Sequence, residues 1–438
     1  MPFHSRPRRL AQAALTVALV ALLAACGQNH PDSIFHRRTD FNRDVDYLFK
    51  VLIYAGTAVF IFVEGILVLT LIKFRKRPGQ PEPEHVHGNT TLEIAWTVIP
   101  LLILILIGIP TVRTIFKTEA VARSDALQVE VVGHQWWWEF RYPQYTTTEA
   151  SGKVDTVVTA NELYLPIGKT VNFTLHSRDV IHSFWIPALG GKRDVVTNHT
   201  NYLWMTPDSV GSDEFNGACA EYCGTSHANM RFKAFTVTQA DFDSWIAHQE
   251  QPAVGSETTG PALSADSTAK VTTATPGVGA PPSAGAVNAQ VAQAGFIAFP
   301  RDKIPASGVP ETPLPAGLTF DDNLLASGNV ENGKKLVTTG MCIACHTEHG
   351  VTMMQAVVGP NLTHVGSRTT IAGAMYPNDP RHLARWIKFA NGMKPGVGMP
   401  TFGIGQYDPV TLKGIVTAAG GFTDAQIADI VAYLTSLK

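Results

Sequence analysis

The sequence predicts a multidomain membrane protein: a hairpin of two membrane-spanning helices, then an all-β domain, then an all-α domain. Three observations carry that division. Two apolar runs, Leu48 to Ile72 and Leu92 to Ile115, each come close to the about 20 residues that a helix needs to cross hydrocarbon. From Ala126 to about Gln249, short β-branched and aromatic runs alternate with Gly, Pro and Asn. Within Thr319 to Lys438, helix starts at Asp379-Pro380 and Thr423 are followed at the end by the apolar stripe Ile427, Ile430, Val431 and Leu434. A chain of 438 residues suits two or three such domains, and a net charge of −2 with 16% charged residues argues against a nucleic-acid partner.

Arg6, Arg8 and Arg9 precede an apolar run from Leu10 to Leu23, too short for a span but laid out as an export signal over residues 1–25. Its end, Leu23-Ala-Ala-Cys26, resembles a bacterial lipoprotein processing box, so cleavage before Cys26 and acylation of its sulfur are expected. An exported segment, 26–47, leads into spans at 48–72 and 92–116, joined by a cytoplasmic loop at 73–91. Lys73, Arg75, Lys76 and Arg77 favour that loop side, although Arg37, Arg38, Arg43 and Lys50 dilute the bias, and the export signal decides it. Everything after about Lys117 then lies on the periplasmic face of a bacterial inner membrane, with membrane lipid as a partner. Glu64 sits inside the first span, where a carboxyl faces protein or water rather than lipid. No role is assigned to it.

In the β domain, 124–249, strands are expected at Leu127 to Val132, Trp136 to Tyr142, Thr170 to His176, Val180 to Ile186, Tyr202 to Thr206 and Phe232 to Val237. The cluster Cys219-Ala-Glu-Tyr-Cys223-Gly-Thr-Ser-His227-Ala-Asn-Met230 is expected in a loop between the last two. Thiolates, imidazole and thioether together favour copper over hard-oxygen metals. One cysteine would describe a single-copper site; a second, four residues later, lets two sulfurs bridge two coppers. His182, in Asp179-Val-Ile-His182, is the candidate for the further imidazole. Zinc competes for Cys/His sets, but its usual C-x-x-C pair is absent from this cluster.

The stretch from Leu48 to Thr236 resembles subunit II of haem-copper cytochrome c oxidases. The resemblance implies a cupredoxin-like Greek-key domain with the binuclear CuA centre. Cys219 and Cys223 would be bridging thiolates, His182 and His227 terminal imidazoles, Met230 a weak thioether and Glu221 a ligand through its backbone carbonyl. The Glu221 side chain would also reach a magnesium or manganese ion at the boundary with subunit I. In Gly133-His-Gln-Trp136-Trp-Trp138-Glu-Phe, Trp136 would be the electron-receiving ring, and consecutive tryptophans on a strand should leave at least one exposed. Glu93, opening the second span, would stand at the mouth of a proton channel into subunit I.

Residues 250–318 are expected to be a flexible linker, since Gln251 to Ala294 holds no aromatic residue and cannot build much core. Beyond it, in 319–438, Cys342-Ile-Ala-Cys345-His346 is a covalent haem attachment motif: two thioethers, then the proximal ligand. The unit resembles a class I cytochrome c. By that resemblance, Met399 in Lys394-Pro-Gly-Val-Gly-Met399-Pro is the second axial ligand, and the Pro360 carbonyl orients His346. Asp379-Pro380 is a helix start, and Thr423 with Gln426 a capping box.

The whole reads as subunit II of a caa-type oxidase. Electrons would pass from haem c to CuA and on to haem a in subunit I, where dioxygen is reduced to water with proton pumping. Subunits I and III would be its partners, and a cytochrome bc complex or a cytochrome c its donor. A free-standing membrane electron carrier is the other class of function, but an anchor alone needs neither two spans nor Glu93.

Overall fold

The computed structural model describes residues 16–18, 32–35, 37–75, 77–79, 87–119, 125–148, 152–208, 213–253 and 312–438. Most of the export signal, Cys26 and the linker from 254 to 311 lie outside the described residues.

Helix α1, Asp40–Lys73, starts earlier than the apolar run, with Thr39 accepting from the Asn42 amide as its N-cap. The early start has a packing cause: the first turn lies against the β domain, where Phe41 and Asn42 are buried. Asn42 Nδ2 donates to the carbonyls of Pro187 (3.2 Å) and Ala188 (2.9 Å), and Asp40 accepts from the Thr206 amide at 2.9 Å. Helix α2, Thr90–Glu119, contains Pro100 and Pro110 and returns beside α1, and its Lys117 pairs with Asp44 at 2.6 Å. Along both helices the apolar side chains are exposed, Phe60 at 64% and Leu104 at 66% among them, as lipid-facing surfaces require. Both helices are long and apolar enough to cross a membrane.

Ten strands follow: β1 Leu127–His134, β2 Trp137–Thr148, β3 Val154–Ala160, β4 Glu162–Pro166, β5 Val171–Ser177, β6 His182–Trp185, β7 Arg193–Val195, β8 Asn201–Met205, β9 Asp213–Cys219 and β10 Arg231–Val237. They form two sheets, ordered β3-β2-β1-β5-β8 and β4-β10-β9-β6-β7. Two ladders are parallel, β1 with β5 and β4 with β10, and the others are antiparallel. Sequential strands change sheets here, so strands far apart in sequence pair in the same direction. Phe140, Phe184 and Phe232 fill the space between the sheets, with Phe184 and Phe232 stacked at 5.1 Å. Helix α3, Gln239–Gln249, closes one end by stacking Trp245 on Tyr164 at 4.3 Å.

The C-terminal unit has helices α4 Val330–Thr339, α5 Pro380–Lys388, α6 Ala390–Met393 and α7 Asp424–Ser436. It is helical apart from two short ladders, 370–371 with 376–377 and 407–408 with 414–415. Asp379 caps α5 and the Thr423/Gln426 capping box opens α7. The first and last helices cross tightly at Gly333, where any Cβ would stand 1.9 Å from the Asp429 carbonyl oxygen. Asp429 holds the crossing by accepting from the Asn329 amide and from Asn332 Nδ2, each at 2.6 Å.

Candidate functional site

Strands β6 and β9 are neighbours in one sheet, and that adjacency brings His182 to the cysteine cluster. The predicted placement of the whole cluster in a loop is corrected: Cys219 is the last residue of β9, paired with Phe184 of β6 and donating its amide to the Met230 carbonyl at 3.0 Å, and only the residues after it turn away. Sequence reasoning missed β9 because it has few large apolar residues ahead of Cys219.

The sulfurs of Cys219 and Cys223 lie 3.7 Å apart. His182 Nδ1 is 3.9 Å from the Cys219 sulfur, His227 Nδ1 is 3.6 Å from that of Cys223, and Met230 Sδ is 3.8 Å from the latter. The Glu221 carbonyl oxygen is 3.1 Å from Cys219 Sγ. Ligand atoms of His182, Cys219 and Cys223 all fall within 4.8 Å of one another in buried surroundings. Two thiol sulfurs, two imidazoles, a thioether and a carbonyl are thus gathered into one mostly soft donor set. It fits copper. The hydrogen bond from Cys223 holds the Cys219 thiol well below its usual range, and the same contact with burial pushes Cys223 up.

Asp179 supports this set. It accepts from His182 Nε2 at 2.8 Å, which leaves Nδ1 free to face the sulfurs, the arrangement by which a carboxylate orients a metal-binding histidine. Burial raises the Asp179 pKa, but His182 and the amides of Gln135 and Val180 outweigh it and hold the carboxylate below its usual range.

The three tryptophans have three different surroundings. Trp138 is fully buried among Phe184, Phe232 and His182. Trp137 stacks on His134 at 4.1 Å. Trp136 lies in the turn between β1 and β2, not on the predicted strand, and its Nε1–H donates to the Cys223 carbonyl at 2.9 Å. It is only 9% exposed, because the C-terminal domain covers it.

In that domain Cys342, Cys345, His346, Pro360 and Met399 line a cavity of about 350 Å³ whose wall also includes Trp136. His346 Nδ1 donates to the Pro360 carbonyl at 2.7 Å, as expected. A Cβ on Gly359 would stand 2.7 Å from His346 Cε1, so only glycine lets this loop lie on the ring. Burial holds the imidazole below its ordinary pKa, hence neutral and able to ligate, and pushes Cys342 up to about 11. Thioether-forming cysteines, an oriented imidazole and a methionine around one largely apolar cavity fit a covalent haem.

The methionine loop itself rests on the β domain. Lys394 Nζ donates to the carbonyls of Trp136 (2.5 Å) and Ala372 (3.1 Å), and Ser226 Oγ donates to Pro395 O at 2.5 Å. Gly396, at φ +83°, lies so close to the Trp136 ring that an added Cβ would stand 3.1 Å from it. Burial brings the Lys394 pKa down to about 7. A second contact sets His248 against His364, their ring centroids 4.6 Å apart and the planes tilted by 48°, and burial pushes both imidazoles down, His364 to about 3.

Other expected residues lie apart from this centre. The Glu221 side chain is exposed, as are Glu64 and Glu93, the latter in the first turn of α2 with its amide donating to the Asn89 carbonyl at 3.0 Å.

Comparison with known proteins matches residues 38–114 to the family described as cytochrome c oxidase subunit II, transmembrane domain, and 127–237 to its periplasmic domain. Residues 330–438 match cytochrome c. Cytochrome c oxidase subunit 2 of Bacillus sp. strain PS3 is 30% identical over 380 residues, covering 83% of this chain and 80% of the relative. Its counterpart in Alkalihalophilus pseudofirmus is 28% identical over 397 residues, covering 89% and 86%. A solved structure, the periplasmic domain of subunit II of cytochrome oxidase of Bradyrhizobium japonicum, is 29% identical over 29% of this chain and 94% of that one, with a TM-score of 0.24. With both subunit II domains and a relative aligned over most of its length, this chain belongs to the cytochrome c oxidase subunit II family and carries a C-terminal cytochrome c domain.

Proposed function

We propose that this oxidase subunit takes electrons at its cytochrome domain and hands them, through Trp136, to a copper pair held between Cys219 and Cys223. When bound, haem c and the paired coppers supply one-electron redox couples. Cys342 and Cys345 would anchor the haem covalently, and His346 and Met399 would hold its iron. His182, His227, Met230 and the Glu221 carbonyl complete the copper set, with Asp179 keeping His182 in the ligating tautomer. The observation that carries the reading is one unbroken run of contacts. The methionine loop touches the Trp136 ring at Gly396, the indole N–H donates to the Cys223 carbonyl, and Cys223 belongs to the sulfur pair.

The onward acceptor is haem a of subunit I, with which a subunit II associates, and dioxygen reduction and proton pumping belong there. Subunit III completes the complex in this reading, and a cytochrome bc complex or a cytochrome c feeds it. The exposed Glu221 carboxylate is free to reach a magnesium or manganese ion at the subunit I boundary. In this reading both carrier domains lie on the periplasmic side of a bacterial inner membrane, and Cys26 is the acylation site.

The purified complex is expected to hold two coppers and one covalent haem per copy of this chain, with the mixed-valence pair giving a seven-line copper EPR pattern. A four-line pattern would reduce the centre to one copper. Glu93 is the proton-channel residue, so Glu93→Gln slows oxygen consumption while copper and haem spectra stay unchanged; full turnover in that variant would remove the role.

A further inference from the structure

We propose that Glu162 is a latch, a positioning residue that fixes the cytochrome domain over Trp136 and so determines whether the tethered haem domain or a free cytochrome reaches the copper site. The inference rests on the electron path above. Glu162 opens β4 of the β domain, and its backbone stays there, accepting from the Thr159 hydroxyl at 2.7 Å, yet its carboxylate accepts from the cytochrome domain. One carboxylate oxygen accepts from the Thr369 amide (2.7 Å), the Thr369 hydroxyl (2.6 Å) and the Thr370 amide (3.3 Å). Only 4% of the residue is exposed, and a small cavity of about 20 Å³ beside it is bounded by His364 and Arg368 from the cytochrome side. Burial raises the Glu162 pKa, opposed by those three donors and by the nearby Arg368 charge.

A buried carboxylate is tolerated only while such partners are present, so these contacts exist only in the docked state; undocking returns the group to water. The geometry also says where the latch acts. Thr369 and Thr370 begin a short segment whose Ala372 carbonyl accepts from Lys394 Nζ, and the same ammonium donates to the Trp136 carbonyl. Glu162 and Lys394 therefore grip the two ends of one segment, and the second grip is on the backbone of the electron-receiving tryptophan. With Trp136 9% exposed under this clamp, a free cytochrome has little access to it. The tether keeps the fused domain at an effective concentration that reaches the millimolar range, so a modest docking preference suffices to hold it.

The test uses the full-chain oxidase complex with its metals, comparing the parent protein with Glu162→Ala, Glu162→Gln and Thr369→Val. Amide hydrogen exchange reads docking without reference to turnover. In Glu162→Ala, exchange at Thr369, Thr370 and the Gln135–Trp137 turn is expected to rise about tenfold or more, the scale of losing one or more hydrogen bonds to a charged group. Electron transfer from haem c to copper slows in step, oxidation of added soluble reduced cytochrome c speeds up, and both metal spectra stay unchanged. Glu162→Gln, which keeps an acceptor oxygen, retains part of the protection. Thr369→Val, made on the other domain, moves every readout the same way by less. Unchanged exchange and transfer in Glu162→Ala with intact spectra overturns the latch. If that variant fails to assemble copper, unchanged exchange in Thr369→Val overturns it instead. Absence of haem-to-copper transfer in the parent protein would refute the electron path while leaving the exchange result to judge docking by itself.

Discussion

Cys219→Ser or Cys223→Ser abolishes the seven-line copper spectrum and lowers oxygen consumption of the complex by more than ~100-fold, the upper end of what even supporting-ligand changes cost at metal sites. The two sulfurs, 3.7 Å apart, are the only thiols in the centre, and each is within 4 Å of a candidate imidazole. Serine oxygen is hard and stays protonated at neutral pH, so it neither bridges nor stabilises soft copper. The haem absorbance should be unaffected, because Cys342 and Cys345 lie in a separate domain with its own core. Met230→Leu is the contrasting variant: a weak thioether is lost, so the copper potential shifts while the metal stays bound. Copper analysis, EPR and haem spectra on the same preparations check all three. A surviving seven-line pattern in either serine variant would move the centre elsewhere.

Trp136→Ala slows electron transfer from haem c to copper by at least tenfold, with both spectra retained. The ring lies against Gly396 of the methionine loop and, through its N–H, donates to the Cys223 carbonyl. Truncation removes that bridge and opens space under the loop. Trp136→Phe keeps a ring but loses the N–H donor, worth about 1 kcal/mol, so its rate should lie between alanine and the parent. Rates measured after rapid reduction of the haem distinguish the three. Equal rates in Trp136→Ala and the parent would take the ring out of the path.

Local chemistry made most of this centre readable in the sequence. Thiolates four residues apart, a C-x-x-C-H pentapeptide and two apolar runs of membrane length each have few other uses, and capping chemistry placed α5 and α7. What escaped depended on partners distant in sequence. β3, β4, β7 and β9 are short or polar, and they become strands by pairing with neighbours already in place. The early start of α1 follows from a docking surface on the β domain that no periodicity announces. The sequence pattern implies at least one exposed tryptophan in the run, yet Trp136 and Trp138 are buried and Trp137 half-buried, Trp136 beneath a domain some two hundred residues away. Glu162 reads as an ordinary polar strand residue until Thr369, 207 residues on, is seen to donate to it. Only Asp179 left a local trace, as a carboxylate three residues before a candidate metal-binding histidine.

The central claim is that the two carriers on this chain are coupled directly. Rapid reduction of haem c in the purified complex should be followed by reduction of the copper pair, one electron lost from the haem for each gained by copper, at a rate independent of protein concentration. A complex truncated after Gln251 should still assemble its copper centre but depend on added cytochrome c, at a rate that rises with that cytochrome's concentration and falls with salt. If the truncated complex oxidised the native donor as fast as the full one, or if the full chain's rate rose with protein concentration, the assigned haem-to-copper order would be contradicted.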